Sequence, residues 1–202
     1  MIEEIYANRT LRFQATAGHP TARWRPHPLL LVGGSINRGY VDVYEPEGKL
    51  YASDWDHLRD DLGVASVLNL EVEQTDVGKG SGMDLCECGV LDHSVEYPPQ
   101  AVVRAIEWAQ EAVKRGTIYV HCHMGGGRSA AMAYAILCHV LKMTSEESLR
   151  AIQQGKDWCY KLNGQIVGGS IVEYPSVQWG ESVDHSRRIQ SIESALAKPV
   201  TP

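Results

Sequence analysis

The sequence predicts a single-domain α/β protein with a central, mostly parallel sheet of about four to five strands flanked by helices. Two observations favour this fold class. Short β-rich apolar runs at 64–70 (VASVLNL) and 117–120 (TIYV) alternate with segments whose apolar residues recur at helical spacing, such as 102–113. This alternation is typical of a parallel sheet, because each helix returns the chain to the same end of the sheet. A chain of 202 residues is also long enough for one domain with a sizeable core.

The remaining elements follow from signals that start or end regular structure, chiefly glycine, proline and helix-capping residues. In chain order we expect a buried strand at 29–32, a long loop or hairpin at 35–53, a short helix at 53–62, an acidic surface loop at 71–84, a strand at 85–91, a helix at 98–116, a helix at 128–141, a helix from a Thr144–Glu147 capping box to about 154, and a terminal helix from about 182.

The domain organisation follows from where these elements begin and end. We expect residues 1–26 to form an N-terminal extension that packs on the domain, because they are polar and lack clear periodicity. Residues 27–181 would form the domain itself. Residues 182–202 would form a polar C-terminal tail or helix.

Composition excludes several classes of partner. The net charge is −6 and the pI is about 5.7, so no general affinity for nucleic acid or for anionic membranes is expected. The apolar run at 29–32 is too short for a signal-peptide core or a membrane span. Five cysteines do not form a small secreted framework, so we expect reduced thiols and a cytoplasmic protein.

The stretch YVHCHMGGGRSA, residues 119–130, is expected to carry the chemistry. It predicts a strand, a glycine-rich loop and then a helix. Such a loop presents several backbone N–H groups at one point, where the helix dipole adds partial positive charge. Arg128 can close this cradle with two parallel hydrogen bonds to an anion. The residues expected to hold a phosphate are His123, Met124, Gly125, Gly126, Gly127 and Arg128.

Cys122 lies at the mouth of this cradle and is the expected nucleophile. The N–H groups and dipole that bind an anion also stabilise a thiolate. Attack on a phosphate ester would give a phosphocysteine, with the developing charge held by the loop amides and Arg128. Ser129 is expected to donate a hydrogen bond to the sulfur when it leaves. His121 is expected to support the loop and not to act as a base.

The pattern His121–Cys122, five residues, Arg128–Ser129 resembles the signature loop of the cysteine-dependent protein tyrosine phosphatase superfamily. Length and surroundings are most similar to the atypical dual-specificity phosphatases, and the similarity covers about residues 27–165. The resemblance implies hydrolysis of phosphate monoesters through a phosphocysteine, without a metal or other cofactor. It also implies a phosphorylated protein or a small phosphorylated molecule as the substrate.

The resemblance further implies a general acid on a separate loop, an aspartate about 30 residues before the cysteine. Asp92, in LDHSVEYPP, stands at that distance and just before a predicted helix. A carboxylic acid is needed there because an alkoxide is a poor leaving group until it is protonated. Asp84, Glu87 and Glu96 compete for the role but fit the spacing and position less well.

Several alternatives stay open at this stage. A metal site at His121, Cys122 and His123 is disfavoured, because neighbouring residues of a strand point to opposite faces. A phosphorylated lipid, a sugar or an RNA end is an alternative substrate. A sulfurtransferase of the rhodanese type, or a non-catalytic phosphate-binding module, would use a related loop. His123 either touches substrate at the pocket mouth or caps the loop.

Overall fold

A computed structural model describes most of the domain. The described residues are 11–12, 23–36, 41–42, 49–50, 54–77, 82–123, 125–153 and 183–197. Met124, most of the predicted N-terminal extension and the predicted domain end at residue 181 lie outside them. None of the helices in this described part is long and apolar enough to cross a membrane.

The main sheet contains five of the described strands, in the order β2-β3-β8-β6-β7. Strands β3, β8, β6 and β7 run parallel, and β2 pairs with β3 as an antiparallel edge strand. A second, small antiparallel sheet has the order β1-β4-β5. The strands are β1 (Leu11–Arg12), β2 (Arg23–His27), β3 (Leu30–Gly33), β4 (Val41–Asp42), β5 (Lys49–Leu50), β6 (Val64–Glu71), β7 (Asp84–Val90) and β8 (Thr117–His121).

The described helices lie between and after these strands. They are α1 (Asp54–Asp56), α2 (Pro99–Ala112), α3 (Arg128–His139), α4 (residues 145–153) and α5 (Val183–Ala197). The capping box predicted before α4 is present, since Glu147 N–H donates to Oγ1 of Thr144 at 3.2 Å and Thr144 N–H donates to Oε2 of Glu147 at 2.9 Å. The single helix predicted at 53–62 is instead the short α1 followed by a π-helical turn, His57–Asp61.

The sheet is buried on both faces, as expected of parallel strands. Along β8, Ile118 and Val120 point to a core shared with α2, α3 and α5, whereas Tyr119 points to the opposite core. That second, smaller core includes Trp55 and Leu58. The alternation explains why the strand sequence TIYV is apolar throughout.

Two features of the main sheet matter for the site. The predicted start of the domain at residue 27 falls inside β2, so residues 23–26 form part of the edge strand of the main sheet. Strand β8 lies between β3 and β6, so the carboxyl ends of three neighbouring parallel strands meet at one edge. In open α/β sheets this edge is where ligands bind.

Candidate active site

The loop of residues 122–128, called the signature loop below, joins β8 to α3. Strand β3 runs beside β8, and its end supports the start of the loop. The N–H of Cys122 donates to the carbonyl of Gly33 at 3.4 Å, and the N–H of Ser35 donates to the carbonyl of His123 at 3.2 Å. The loop is therefore held through its backbone by a neighbouring strand.

Gly125 is a point of close approach between the signature loop and the end of β3. Its φ is +79°, and a β-carbon there would lie 2.6 Å from the carbonyl carbon of Gly33 and 2.8 Å from the nitrogen of Gly34. Backbone atoms cannot yield as a side-chain tip can, so both conformation and space require glycine. Tyr119 fixes the opposing turn, since its hydroxyl donates to the carbonyl of Gly34 at 2.5 Å.

The first turn of α3 faces the loop with open backbone donors. Gly127 precedes the helix, and within the described chain no side chain caps its N-terminus. Uncapped N–H groups and the positive end of a helix dipole together favour an anion. Tyr97 fastens this end of the helix, because its buried hydroxyl donates to the carbonyl of Arg128 at 2.9 Å.

The predicted nucleophile, Cys122, lies beside Ser129, the residue predicted to donate a hydrogen bond to its sulfur. Sγ of Cys122 is 3.4 Å from Oγ of Ser129, and both side chains are buried. Ser129 belongs to the first turn of α3, so its hydroxyl is fixed relative to the loop. A hydroxyl at this distance can donate to a thiolate.

Arg128 divides its donors between the fold and the cradle. Nη1 donates to the carbonyl of Val90 at 2.7 Å and lies 3.1 and 3.3 Å from the two carboxylate oxygens of Glu73. Nε and Nη2 are buried, yet among the described residues they have no well-directed hydrogen-bond acceptor. These two atoms carry the parallel N–H bonds that match two oxygens of a phosphate.

Asp92 lies on the loop of residues 91–98, called the acid loop below, between β7 and α2. Its Oδ1 is 3.1 Å from Nη2 of Arg128, and its side chain is 45% exposed. His93 turns the chain here, with φ +58°, and its Nε2 lies 3.5 Å from Oδ2 of Asp92. The acid loop and the signature loop thus meet at one guanidinium.

The three competing carboxylates lie away from Arg128 or have other partners. Asp84 lies at the start of β7, where it accepts a hydrogen bond from Trp108 Nε1 at 2.7 Å. Glu87 accepts from the hydroxyl of Thr75 at 2.5 Å. Glu96 is exposed and lines a cavity against α5. Of the four, Asp92 is the one in contact with Arg128.

His121, at the end of β8, lies between two buried carboxylates. Its Nε2 is 2.6 Å from Oδ2 of Asp76, and its Nδ1 is 3.3 Å from Oε1 of Glu71. Burial alone would lower the pKa of His121, but hydrogen bonding and attraction to Asp76 and Glu71 outweigh it and raise the pKa. Burial alone would raise the pKa of Glu71, and its interaction with His121 outweighs this and lowers it. The raised pKa favours the protonated form of His121, which supports its predicted role of bracing the loop and not acting as a base.

Glu71 also contacts the residue that follows the nucleophile. Nδ1 of His123 lies 3.4 Å from Oε2 of Glu71, and the imidazole is 29% exposed. This contact favours a role for His123 in bracing the loop. One buried carboxylate thus holds both residues that flank Cys122.

The prediction of a surface loop at 71–84 is wrong for Glu71 and Asp76, whose side chains are 0% and 2% exposed. A surface loop would leave these two carboxylates solvated, but both are buried against His121. A signal was present, because an acidic run follows β6 directly and carboxyl ends of neighbouring parallel strands meet at one edge. Sequence reasoning also missed other residues of the site, namely Gly33, Gly34, Ser35, Glu73 and Tyr97.

Comparisons with known proteins agree with this geometry. No protein-family model matches the chain. The human protein named dual specificity protein phosphatase 13B is 29% identical over 160 residues, which span 72% of this chain and 79% of that protein.

Solved structures with the same fold include human DUSP28, with a TM-score of 0.56 at 17% identity over 85% of this chain and 96% of that one. PTPMT1 in complex with PI(5)P gives a TM-score of 0.55 at 17% identity over 87% and 97%. Tk-PTP in its active form gives 0.54 at 12% identity over 85% and 96%. The predicted fold class is confirmed. So is the predicted resemblance to the cysteine-dependent protein tyrosine phosphatase superfamily and, within it, to the atypical dual-specificity phosphatases.

The Gly125→Ala variant should be destabilised by about 2–5 kcal/mol, because a positive φ and a collision with backbone atoms add together. Gly63→Ala is the matched control, since Gly63 has φ +66° but no atom within 4 Å of the added β-carbon. That variant should lose only about 1–2 kcal/mol. Urea unfolding of both would measure the difference, and equal losses would show that the close approach to β3 is unimportant.

The raised pKa of His121 predicts a stability that depends on pH. Protonated His121 stabilises the fold fully below its ordinary pKa of about 6.5, and this stabilisation is lost as pH rises through the raised value. The free energy of unfolding of the wild type should therefore fall relative to that of His121→Gln above about pH 6.5. His93→Gln, at a side chain 96% exposed, is the control and should run parallel to the wild type. A constant difference between wild type and His121→Gln would contradict the prediction.

Proposed function

We propose that this chain is a cysteine-dependent phosphatase that hydrolyses phosphate monoesters of proteins through a phosphocysteine at Cys122. The relationship to the protein tyrosine phosphatases supports a phosphatase in general. Dual specificity towards phosphotyrosine, phosphoserine and phosphothreonine is the narrower proposal. It is supported by the name of the human relative, dual specificity protein phosphatase 13B. The cytoplasmic location, the absence of a cofactor and the domain boundaries stay predictions.

The observation that carries the proposal is the buried guanidinium of Arg128, whose Nε and Nη2 lack a well-directed acceptor in the described chain. Buried polar groups in folded proteins normally have partners, and leaving one unpaired costs about 1–3 kcal/mol. Here Nε and Nη2 of a buried guanidinium have no well-directed acceptor in the described chain, six residues after a buried cysteine. A tetrahedral dianion would satisfy both donors and the open amides at the start of α3 at the same time. A purely structural arginine would gain nothing from this arrangement.

In the first step, the thiolate of Cys122 attacks phosphorus, so that a P–S bond forms as the ester P–O bond breaks. The electron pair of the P–O bond leaves with the substrate oxygen, which takes a proton from the carboxylic acid of Asp92. Asp92 stands 3.1 Å from Nη2 of Arg128, which supports its reaching the leaving oxygen of an ester bound there. Arg128 and the loop amides stabilise the charge that develops on the other phosphate oxygens.

In the second step, the Asp92 carboxylate takes a proton from water while the water oxygen attacks phosphorus. The P–S bond breaks, inorganic phosphate leaves and Cys122 returns as the thiolate. The hydroxyl of Ser129, 3.4 Å from the sulfur, donates to the departing thiolate. His121 takes no proton in this scheme, because its contacts with Glu71 and Asp76 raise its pKa and favour the form that already carries the proton.

Turnover of 4-nitrophenyl phosphate by purified variants tests the nucleophile, and turnover of an aryl phosphate with a poor leaving group tests the acid. Cys122→Ser should reduce kcat below detection. Cys138→Ser, at a half-buried free cysteine on α3, is the control and should keep the kcat of the wild type.

Asp92→Asn should retain binding but lower kcat about 10²–10⁴-fold for substrates with poor leaving groups. Normal turnover by Cys122→Ser would exclude the mechanism. Sulfur transfer from thiosulfate to cyanide by the wild type, without phosphatase activity, would favour the sulfurtransferase.

A substrate panel tests the narrower proposal. It would compare peptides carrying phosphotyrosine, phosphoserine or phosphothreonine with a phosphoinositide, a sugar phosphate and a 5′-phosphorylated RNA. We expect the highest kcat/KM on phosphopeptides of more than one type. A higher kcat/KM on any of the other three substrates would assign the enzyme to that class and leave the phosphocysteine chemistry intact.

A further inference from the structure

Helix α5 contacts both loops of the candidate site, although it is the last described element of the chain. Nε of Arg188 donates to the carbonyl of Ser94 at 3.1 Å. One turn further along, Oγ of Ser191 accepts a hydrogen bond from the N–H of Tyr97 at 2.8 Å. Residues three apart lie on the same face of a helix, so one face of α5 holds the acid loop at two points.

The same arginine reaches the signature loop. A β-carbon added to Gly127 would lie 3.3 Å from Nη1 and 3.4 Å from Cζ of Arg188. A side chain at Gly127 would therefore be in tight contact with the guanidinium, which would have to shift by a few tenths of an ångström. Gly127 has a negative φ, −114°, so its backbone conformation does not require glycine.

Arg188 thus spans the gap between the loop of the expected acid and the loop of the expected nucleophile. The described contacts of the acid loop are Asp92 at Arg128, Ser94 at Arg188, and Tyr97 at both Ser191 and the carbonyl of Arg128. Two of them, at Ser94 and at the N–H of Tyr97, are made by α5 and set where the loop backbone lies. A carboxylic acid misplaced by about 1 Å transfers its proton poorly.

We propose that Arg188 is a positioning residue that sets the distance between the acid loop and the signature loop and so makes Asp92 an effective proton donor. This inference rests on the proposed phosphatase function. We assign Arg188 a contact with the loop and not with the phosphate, because its guanidinium approaches Gly127 from the side of the missing β-carbon. Its effect should therefore depend on how much the reaction needs an acid.

A series of aryl phosphates with phenols of increasing pKa measures that need directly. A phenol that is a good leaving group departs without protonation, whereas a poor one requires the acid. Arg188→Ala should keep kcat within about twofold of the wild type for the best leaving group. It should lose about 10–100-fold for the poorest, because general acid catalysis contributes about 10²–10⁴-fold and would be only partly lost.

The controls separate positioning from folding. Arg187→Ala removes a neighbouring, exposed arginine of the same helix and should follow the wild type for every substrate. Arg188→Lys keeps the charge but lacks the planar fork that reaches both loops, so it should fall between Arg188→Ala and the wild type. Thermal unfolding of each variant checks that α5 still docks.

The outcomes also separate this inference from the proposed function. An equal loss of kcat for all leaving groups, or no loss, would overturn the positioning role of Arg188 while the phosphatase assignment stands. A wild type that hydrolyses none of the aryl phosphates would overturn the proposed function itself. In the Asp92→Asn background, Arg188→Ala should have no further effect on poor leaving groups. An additive effect would show that Arg188 acts by another route.

Discussion

The candidate site depends on how a single buried guanidinium is shared. Nη1 of Arg128 reaches the backbone at the ends of two strands, at 3.5 Å from the carbonyl of Leu70 on β6 and 2.7 Å from that of Val90 on β7. A buried cation is tolerated only when it is paired and hydrogen-bonded, so these strand ends must meet where α3 begins. These contacts of Nη1 with the sheet edge leave Nε and Nη2 without a well-directed acceptor in the described chain. Fold and anion cradle therefore depend on the same side chain.

Four carboxylates lie close to a site proposed to bind a dianion, and unpaired negative charges there would repel it. They divide into two pairs with different exposure. Glu71 and Asp76 are buried and committed to His121, so their charges are offset inside the protein. Glu73 and Asp92 are 41% and 45% exposed and share Arg128. Partly exposed carboxylates such as these can give up their contact with Arg128 and bind water instead when an anion binds. In its protonated form Asp92 carries no charge that would repel the anion. The arrangement is compatible with anion binding because the fixed negative charges are the ones already paired.

Much of this could be predicted from local pattern. The spacing of apolar residues clearly indicates β6, α2, β8 and α3 as strands or helices. The order of strand, glycine-rich loop and helix at 117–139 then predicts a cradle that contains a cysteine and an arginine. The contact between Asp92 and Arg128 is compatible with the spacing argument, while its catalytic role stays a proposal. The capping box before α4 was predicted from two residues, because its hydrogen bonds are local.

What could not be predicted depends on long-range contact. Glu71 looked like a surface acid, since nothing near it in sequence shows that His121 and His123 lie against it. Gly127 was predicted as part of the phosphate cradle, but its contact with Arg188 was not, because Arg188 is far away along the chain. The close approach of Gly125 to the end of β3 likewise joins segments whose pairing is set only by strand order. In each case the partner is chosen by topology and not by the adjacent sequence.

The position of α5 in the chain has a consequence for biosynthesis. The expected nucleophile, Arg128 and the expected acid all precede Val183–Ala197 in the chain. Until α5 has been synthesised and has docked, the acid loop lacks its contacts at Ser94 and Tyr97. If Arg188 has the proposed positioning role, proton donation becomes effective only when α5 is in place.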